Sequence, residues 1–133
     1  MKIFNSKFND NLSLKGGGAI YAESFLSLQI FSGSEFISNV ALNESGDAIH
    51  LKSSLGPVEI FDSRFYSDRY SNFIVATDIP EVYINGSSFI ISQKARMIKE
   101  NFKKVSYSGL MMSEISRISI IGTLFKNLKS FTD

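Results

Sequence analysis

The chain has 133 residues, which is the size of a single domain. Its hydrophobic fraction of 44% and charged fraction of 20% are typical of a folded globular protein and exclude a disordered chain. A formal net charge of +1 gives no strong attraction to nucleic acid or anionic lipid, and the lack of cysteine excludes disulfides and cysteine nucleophiles. No apolar run reaches the roughly 18–20 residues that span a bilayer, and residues 1–7 lack the apolar core of a secretory signal.

A short motif that combines a turn with a phenylalanine occurs five times along the chain. Each copy is six residues long, with an apolar residue first, Asn, Asp or Gly third, Ser or Thr fourth and Phe sixth. Asn, Asp and Gly tolerate positive φ, and a hydroxyl can bond the backbone of a turn. The copies occupy residues 3–8, 31–36, 60–65, 84–89 and 120–125. They predict a structural repeat with Phe8, Phe36, Phe65, Phe89 and Phe125 at equivalent positions.

Two further blocks recur between these motifs. Residues 17–21 (GGAIY) return as residues 46–50 (GDAIH), and less regular copies follow at 71–75 and 108–112. Short apolar alternations lead into the later turns at residues 28–30, 58–60, 82–84 and 118–120. Alternation of this kind is typical of a strand with one buried face. Each repeat therefore holds about three short strands separated by bends.

Strands this short bury too little surface alone, but stacked repeats pair each strand with its counterparts at about 4.7–4.9 Å. This predicts an all-β fold, a pectin-lyase-like parallel β-helix of about five coils that forms one solenoid domain over residues 1–133. An antiparallel β-sandwich also uses short strands and frequent turns. The sandwich does not explain why the same blocks return at nearly constant spacing.

The repeat also carries a family resemblance. Residues 8–11 and 36–39 have the form FxxN, and residues 17–20 read GGAI. These tetrapeptides resemble the repeat of chlamydial polymorphic outer-membrane proteins, which also occurs in large surface proteins of protists. The resemblance implies a right-handed parallel β-helix with a role in adhesion or display, at the cell surface or in a membrane-associated assembly. It covers residues 1–65 well, whereas later repeats place Asp68 and Ser92 where the motif has Asn.

The interval between Phe89 and Phe125 is longer than the others and contains a different pattern. Apolar residues recur there at alternating spacings of 4 and 3, with basic residues on the other positions. This predicts a short amphipathic helix at about residues 92–104 that lies against the flank of the solenoid. Its basic face is either solvated surface or a docking element for an acidic partner or a membrane surface. The apolar positions are Ile91, Ala95, Ile98, Phe102 and Val105.

No group of residues has the spacing of an active site or a metal site. Asp62 holds the turn position of its motif and Asp47 replaces a glycine of the GGAI block, so both are predicted to form bends. His50 is the only histidine, in the strand position of Tyr21, with only Asp47 near in sequence. Residues 16–18 (GGG) run into a strand, so they predict a bend rather than a phosphate loop. We predict no catalytic residue, cofactor, metal or nucleic-acid partner, and no enzyme activity.

The predicted function is that of a structural or adhesive β-helix segment that mediates protein–protein contacts in a surface protein or a large assembly. The alternative is a part of a carbohydrate-active β-helix enzyme. The sequence opens directly into a repeat at residues 1–3 and stops eight residues after Phe125, which leaves no room for a polar cap at either end. We therefore expect exposed ladder residues, Ile3 and Phe8 at one end and Ile120 and Phe125 at the other. We therefore expect a fragment or subunit whose ends are covered by further coils or by protein partners. Any membrane association is expected to be indirect.

Overall fold

The computed structural model describes residues 1–42, 46–69, 72–96 and 109–128. These residues form fourteen β-strands and no helix. The strands are β1 (Lys2–Phe4), β2 (Lys7–Asn9), β3 (Leu12–Ser13), β4 (Ile20–Phe25), β5 (Leu28–Phe31), β6 (Glu35–Ile37), β7 (Val40–Ala41), β8 (Ile49–Ser54), β9 (Val58–Phe61), β10 (Arg64–Arg69), β11 (Asn72–Asn85), β12 (Ser88–Arg96), β13 (Gly109–Ile121) and β14 (Leu124–Lys126).

The strands form three curled sheets, and every pairing among the described residues is parallel. The largest sheet has seven strands in the order β1-β5-β9-β11-β8-β4, with β13 paired to β11. The second sheet has the order β14-β12-β10-β6-β2, and the third pairs β3 with β7. Each pair joins a strand to its counterpart in a neighbouring repeat. The prediction of an all-β fold built on repeated parallel pairing is confirmed.

The five motif phenylalanines form one continuous stack. Phe8, Phe36, Phe65, Phe89 and Phe125 pair in register through the second sheet. Successive ring centroids lie 4.8, 4.8, 4.6 and 5.2 Å apart, and the planes are within 12° of parallel. The three inner rings are buried in the main core cluster. The predicted ladder is confirmed, and it holds the repeats together by apolar burial and ring stacking.

The turns before these phenylalanines use the left-handed backbone region, as predicted. The turn residues have φ values of 43° (Asn5), 74° (Gly33), 47° (Asp62), 61° (Gly86) and 55° (Gly122). The Ser or Thr that follows each of them donates its hydroxyl to a nearby turn carbonyl at 2.8–3.2 Å. Asp62 is therefore a turn former, because Asp is among the few non-glycine residues that tolerate this conformation.

The second turn contains one residue more than the first. Phe4 pairs with Phe31, so Ile3 pairs with Ile30 and not with the first residue of the 31–36 motif. The extra residue is accommodated because both Ser32 and Gly33 adopt positive φ. The apolar core position is kept, and an outward-facing aromatic row is created.

The GGAI block forms a tight bend, as the sequence predicts. Gly17 has a φ of +68°, and a Cβ at Gly18 would collide with the carbonyl oxygen of Asp47 in the next repeat. The following strands keep the expected register, with Ile20 opposite Ile49 and Ile49 opposite Ile74. The glycines are needed because neighbouring backbones approach too closely for a side chain.

The predicted helix at residues 92–104 is wrong for the part that the structure describes. Residues 92–96 continue strand β12, which pairs with β10 as far as Arg69 opposite Arg96 after a register shift. Ile91 is fully buried on the inner face of this strand. Pairing with an existing strand satisfies the backbone and buries Ile91 at once, which an isolated short helix does not. Residues 97–104 lie outside the described residues.

Candidate protein-docking edge

The candidate site is the outer side of β13, which we call the β13 edge and define as Gly109–Ile121. One side of this strand pairs with β11 along its whole length, from Asn72 opposite Gly109 to Asn85 opposite Ile121. No described strand pairs with the other side. Over residues 111–121, N–H and C=O groups that face away from β11 and have no partner strand among the described residues can pair with another strand through main-chain hydrogen bonds.

Apolar core positions are left partly open at this end of the molecule. Ile118 and Ile120 are 48% and 42% exposed, whereas their counterparts on β11, Val82 and Ile84, are each 1% exposed. In the second sheet Phe125 is 39% exposed, although the inner rings of the same ladder are buried. The same side-chain positions are thus covered inside the molecule and uncovered at its β13 end.

The two ends of the sheets differ in how well their apolar residues are covered. The prediction of exposed ladder residues is confirmed for Ile120 and Phe125. It is wrong for Ile3, which is only 8% exposed, and Phe8 is only partly exposed. Ile3 is covered because it packs into the same core cluster as the residues of β5 and β9. The β13 edge is therefore the more open of the two ends.

The β13 edge carries two exposed charged residues of opposite sign, Glu114 and Arg117. Arg117 lies opposite Glu81 of β11, with a guanidinium nitrogen 3.4 Å from the carboxylate, and it is 68% exposed. The hydroxyl of Tyr83 donates to the same carboxylate at 2.7 Å. A hydrogen bond to Tyr83 and the negative charge of Glu81 raise the pKa of Arg117 above its ordinary value, so the residue stays cationic.

The polar residues that the sequence analysis singled out occupy the structural positions predicted for them. Asp47 accepts a hydrogen bond from the Ala41 amide at 3.0 Å and so holds a bend, as predicted. His50 pairs with Tyr21 in the expected strand position, and its ring lies over Gly16, where a Cβ would collide with it. In the described parts of the chain, no cluster of His, Cys, Asp or Glu could hold a metal ion.

A shallow depression of about 320 Å³ lies on the outer surface at the second and third turns, and its lining includes Phe31, Phe61, Gln29 and Asp62. Two aromatic rings beside an amide and a carboxylate can contact the apolar face and the hydroxyls of a sugar. The sequence analysis missed this site because it aligned Phe31, as the first residue of its motif, with Ile3 and Ile60. The sequence feature that could have revealed it is Ile30, which directly precedes Phe31. Ile30 takes the core position of Ile3 and Ile60, so Phe31 faces outward.

Within the described residues, no helix has the length and apolar character of a membrane span. Comparison with protein-family models, with curated proteins and with solved structures finds no match. Function is therefore inferred from the geometry of the chain itself.

Proposed function

We propose that this protein is a structural or adhesive segment of a right-handed parallel β-helix, and that it makes protein–protein contacts through the β13 edge. The observation that carries this proposal is the change in burial along each ladder. Positions that are closed at Val82 and Ile84 are open at Ile118 and Ile120, one strand further out. Apolar residues at the end of a solenoid are normally covered by another coil or another chain.

The use of polar side chains supports a scaffold role. Ser34, Ser63 and Ser87 are buried, and their hydroxyls bond backbone carbonyls. Asn39 accepts bonds from the amide and side chain of Asn11 and donates to the Phe8 carbonyl at 2.8 Å, so it links neighbouring repeats. These groups serve the turns and the stacking of repeats. The resemblance of the FxxN and GGAI tetrapeptides to surface-protein repeats supports an adhesive or display role.

Concentration-dependent light scattering of the isolated 133-residue chain tests the proposal. We expect the mean mass to rise with concentration, because an uncovered strand edge with open apolar positions associates with other surfaces. Substituting Ile120→Lys should reduce this association, since it places a charge on the exposed core position. The matched control is Ile121→Lys, because Ile121 is 62% exposed and adjacent in the strand but lies outside the inward ladder.

A monodisperse chain that unfolds cooperatively and stays monomeric at all concentrations would contradict the proposal. Association that responds equally to both lysine substitutions would also contradict it, since the open core position would then not be the contact.

A second candidate function is carbohydrate binding or processing, which the depression beside Phe31 and Phe61 favours. Asp62 is the one carboxylate in its described lining, whereas glycoside hydrolysis commonly uses a pair. The site therefore supports carbohydrate binding and not carbohydrate hydrolysis. Titration with oligosaccharides, followed by NMR, should shift signals of Gln29 and Phe61 if this candidate holds, and no shift at millimolar sugar would reject it.

A further inference from the structure

We propose that the outer face of the second turn region binds an extended, uncharged glycan that runs along the stack of repeats, at right angles to the strands. This inference rests on the carbohydrate-binding candidate above and specifies the charge, the length and the direction of the ligand. The surface concerned, which we call the aromatic row, consists of Phe4, Phe31 and Phe61.

The aromatic row follows the register of the large sheet. Phe4 on β1 pairs with Phe31 on β5. Phe61 takes the same position on β9, since the residues that directly precede Phe31 and Phe61 pair with each other. The residue before each ring is buried, so the three rings lie on the outer face of the sheet. The row therefore extends over three repeats, or about 10 Å along the stack.

The aromatic row is only partly covered by the rest of the described chain. Phe4 is 60% exposed, and its ring makes a T-shaped contact with Phe31 at a centroid distance of 5.3 Å. Phe31 and Phe61 are partly exposed and line the depression of about 320 Å³. Single exposed apolar residues are ordinary, but aligned rings in three consecutive repeats form one continuous apolar strip, which is typical of a binding surface.

Polar residues border this strip on both sides. On one side Gln29 pairs with Glu59, and the amide nitrogen of Gln29 donates to the Glu59 carboxylate. On the other side lie the exposed turn residues Ser32 and Asp62. A sugar has apolar C–H faces and hydroxyls around its edge, so a sugar on the strip brings its hydroxyls to both borders. A wholly apolar ligand would cover these polar groups without bonding them, which costs free energy.

The spacing of the rings determines the direction of the ligand. Equivalent rings recur once per repeat, at the strand spacing of about 4.8 Å. The sugar units of an extended β-linked glycan recur at a similar distance, so a chain that runs along the stack places one unit on each repeat. A chain that followed a single strand would meet one ring, because each of β1, β5 and β9 contributes one residue to the row.

The charges beside the row favour an uncharged glycan. Glu59 and Asp62 lie on the two sides of Phe61, so two carboxylates border this end of the row. Lys2, the basic residue of the polar border, lies opposite Gln29 and is thus two layers away from Glu59. A glycan that carries carboxylates or sulfates would be repelled by Glu59 and Asp62.

The experiment titrates the intact 133-residue chain with tetrasaccharides and follows its backbone amides by NMR. The probes are β-linked tetramers of glucose, xylose, mannose and N-acetylglucosamine, with tetragalacturonate as the anionic comparison. We expect at least one neutral tetramer to bind saturably and to shift signals at all three rings of the aromatic row. Its affinity should exceed that of the matching disaccharide by about three- to tenfold, as expected for one further ring contact. Tetragalacturonate should bind about twofold to fivefold more weakly than the neutral tetramer.

Four variants connect binding to the row. Phe61→Ala should lower the affinity for every oligomer by about tenfold. Phe4→Ala should remove the advantage of the tetramer over the disaccharide but keep disaccharide binding, which a variant that fails to fold would not do. Asp62→Gly keeps a residue suited to the turn and should reduce the discrimination against tetragalacturonate. The matched control is Leu55→Ala, because Leu55 is 83% exposed but precedes the opposite end of β9.

Three results would overturn the inference: no shift with any neutral tetramer, equal affinity for the disaccharide and the tetramer, or preferred binding of tetragalacturonate. Shifts at Gln29 and Phe61 that do not depend on the length or charge of the oligomer would leave the carbohydrate-binding candidate standing while this inference fails. The contact through the β13 edge is tested separately by light scattering, so neither outcome decides the other.

Discussion

Phe65 occupies the middle of the aromatic ladder. Its ring stacks between Phe36 and Phe89 with centroids 4.8 and 4.6 Å away, and it makes a T-shaped contact with Phe73 at a centroid distance of 6.3 Å. The side chain is fully buried. Both its burial and its stacking depend on neighbours from other repeats, so this residue couples the repeats to one another.

Replacing Phe65 with Ala should lower the free energy of unfolding by about 3–5 kcal/mol, because the truncation leaves a cavity in a closed ladder. Urea denaturation followed by circular dichroism measures the change. The control is Leu55→Ala, which should cost no more than about 0.5 kcal/mol because Leu55 is 83% exposed. A loss below about 1 kcal/mol at Phe65 would mean that the ladder is not closed in solution.

Asp62 gives a second prediction at the scale of one residue. Its φ of 47° lies in the left-handed region, and glycine holds the same turn position in three other repeats. Asp62→Gly should leave stability unchanged or raise it by up to about 1 kcal/mol, whereas Asp62→Val should lower it by about 1–2 kcal/mol. Urea midpoints of the two variants provide the comparison. Equal destabilisation by both would show that the carboxylate, not the backbone conformation, is what the turn requires.

At the scale of elements, the strands are joined by ladders of polar residues as well as by apolar ones. Glu23 on β4 lies 3.1 Å from Lys52 on β8, and the hydroxyl of Tyr21 donates to the same carboxylate at 2.8 Å. The Tyr21 hydrogen bond, followed by the hydrogen bond and charge of Lys52, lowers the pKa of Glu23 below its ordinary value. The ladder thus contributes electrostatic linkage between two repeats.

The sign of the pH dependence follows from this lowered pKa. Because the folded state binds the proton less tightly than the unfolded state, the contribution is present above the unfolded pKa and is lost as pH falls through the folded value. Carboxyl ¹³C NMR should show Glu23 titrating below its ordinary pKa. Tyr21→Phe and Lys52→Met should each raise the pKa, and the double variant should return it close to the ordinary value. A titration unaffected by either substitution would mean that the contacts do not persist in solution.

For the whole molecule, inner strands and the edge strand of the large sheet should differ in how well their backbone amides are protected from hydrogen exchange. Inner strands such as β9 and β11 pair on both sides, whereas β13 pairs on one side among the described strands. Amides in β9 and β11 should exchange only through global unfolding. Over residues 111–121 of β13, amides that face β11 should be protected and those that face outward should exchange fast, in alternation. Hydrogen exchange followed by NMR tests this, and uniform protection along β13 would show that its edge is covered in solution.

Some features of the fold followed directly from local sequence. The turn residues and the spacing of Phe8, Phe36 and Phe65 specify the bend and the stack, because a left-handed turn restricts residue type and an apolar ladder restricts register. The same local reasoning placed Asp62 and Asp47 in bends. The prediction that Ile120 and Phe125 would be exposed also came from the sequence, since both belong to the last copy of the repeated motif.

Other features were decided only by tertiary contacts. Spacings of 4 and 3 after Ile91 indicate a helix, yet residues 92–96 extend β12. Pairing with β10 satisfies the backbone hydrogen bonds of β12, and this contact between distant strands is not encoded in the local spacing of apolar residues. A register shift between Asn72 and Ile74 moves the pairing of β13 by one residue, so Leu110 rather than Met111 lies opposite Ile74. The open β13 edge likewise depends on which strands are neighbours in space. A single sequence encodes which side chains can be buried, whereas only the pairing of distant strands determines which backbone edge is left to bind a partner.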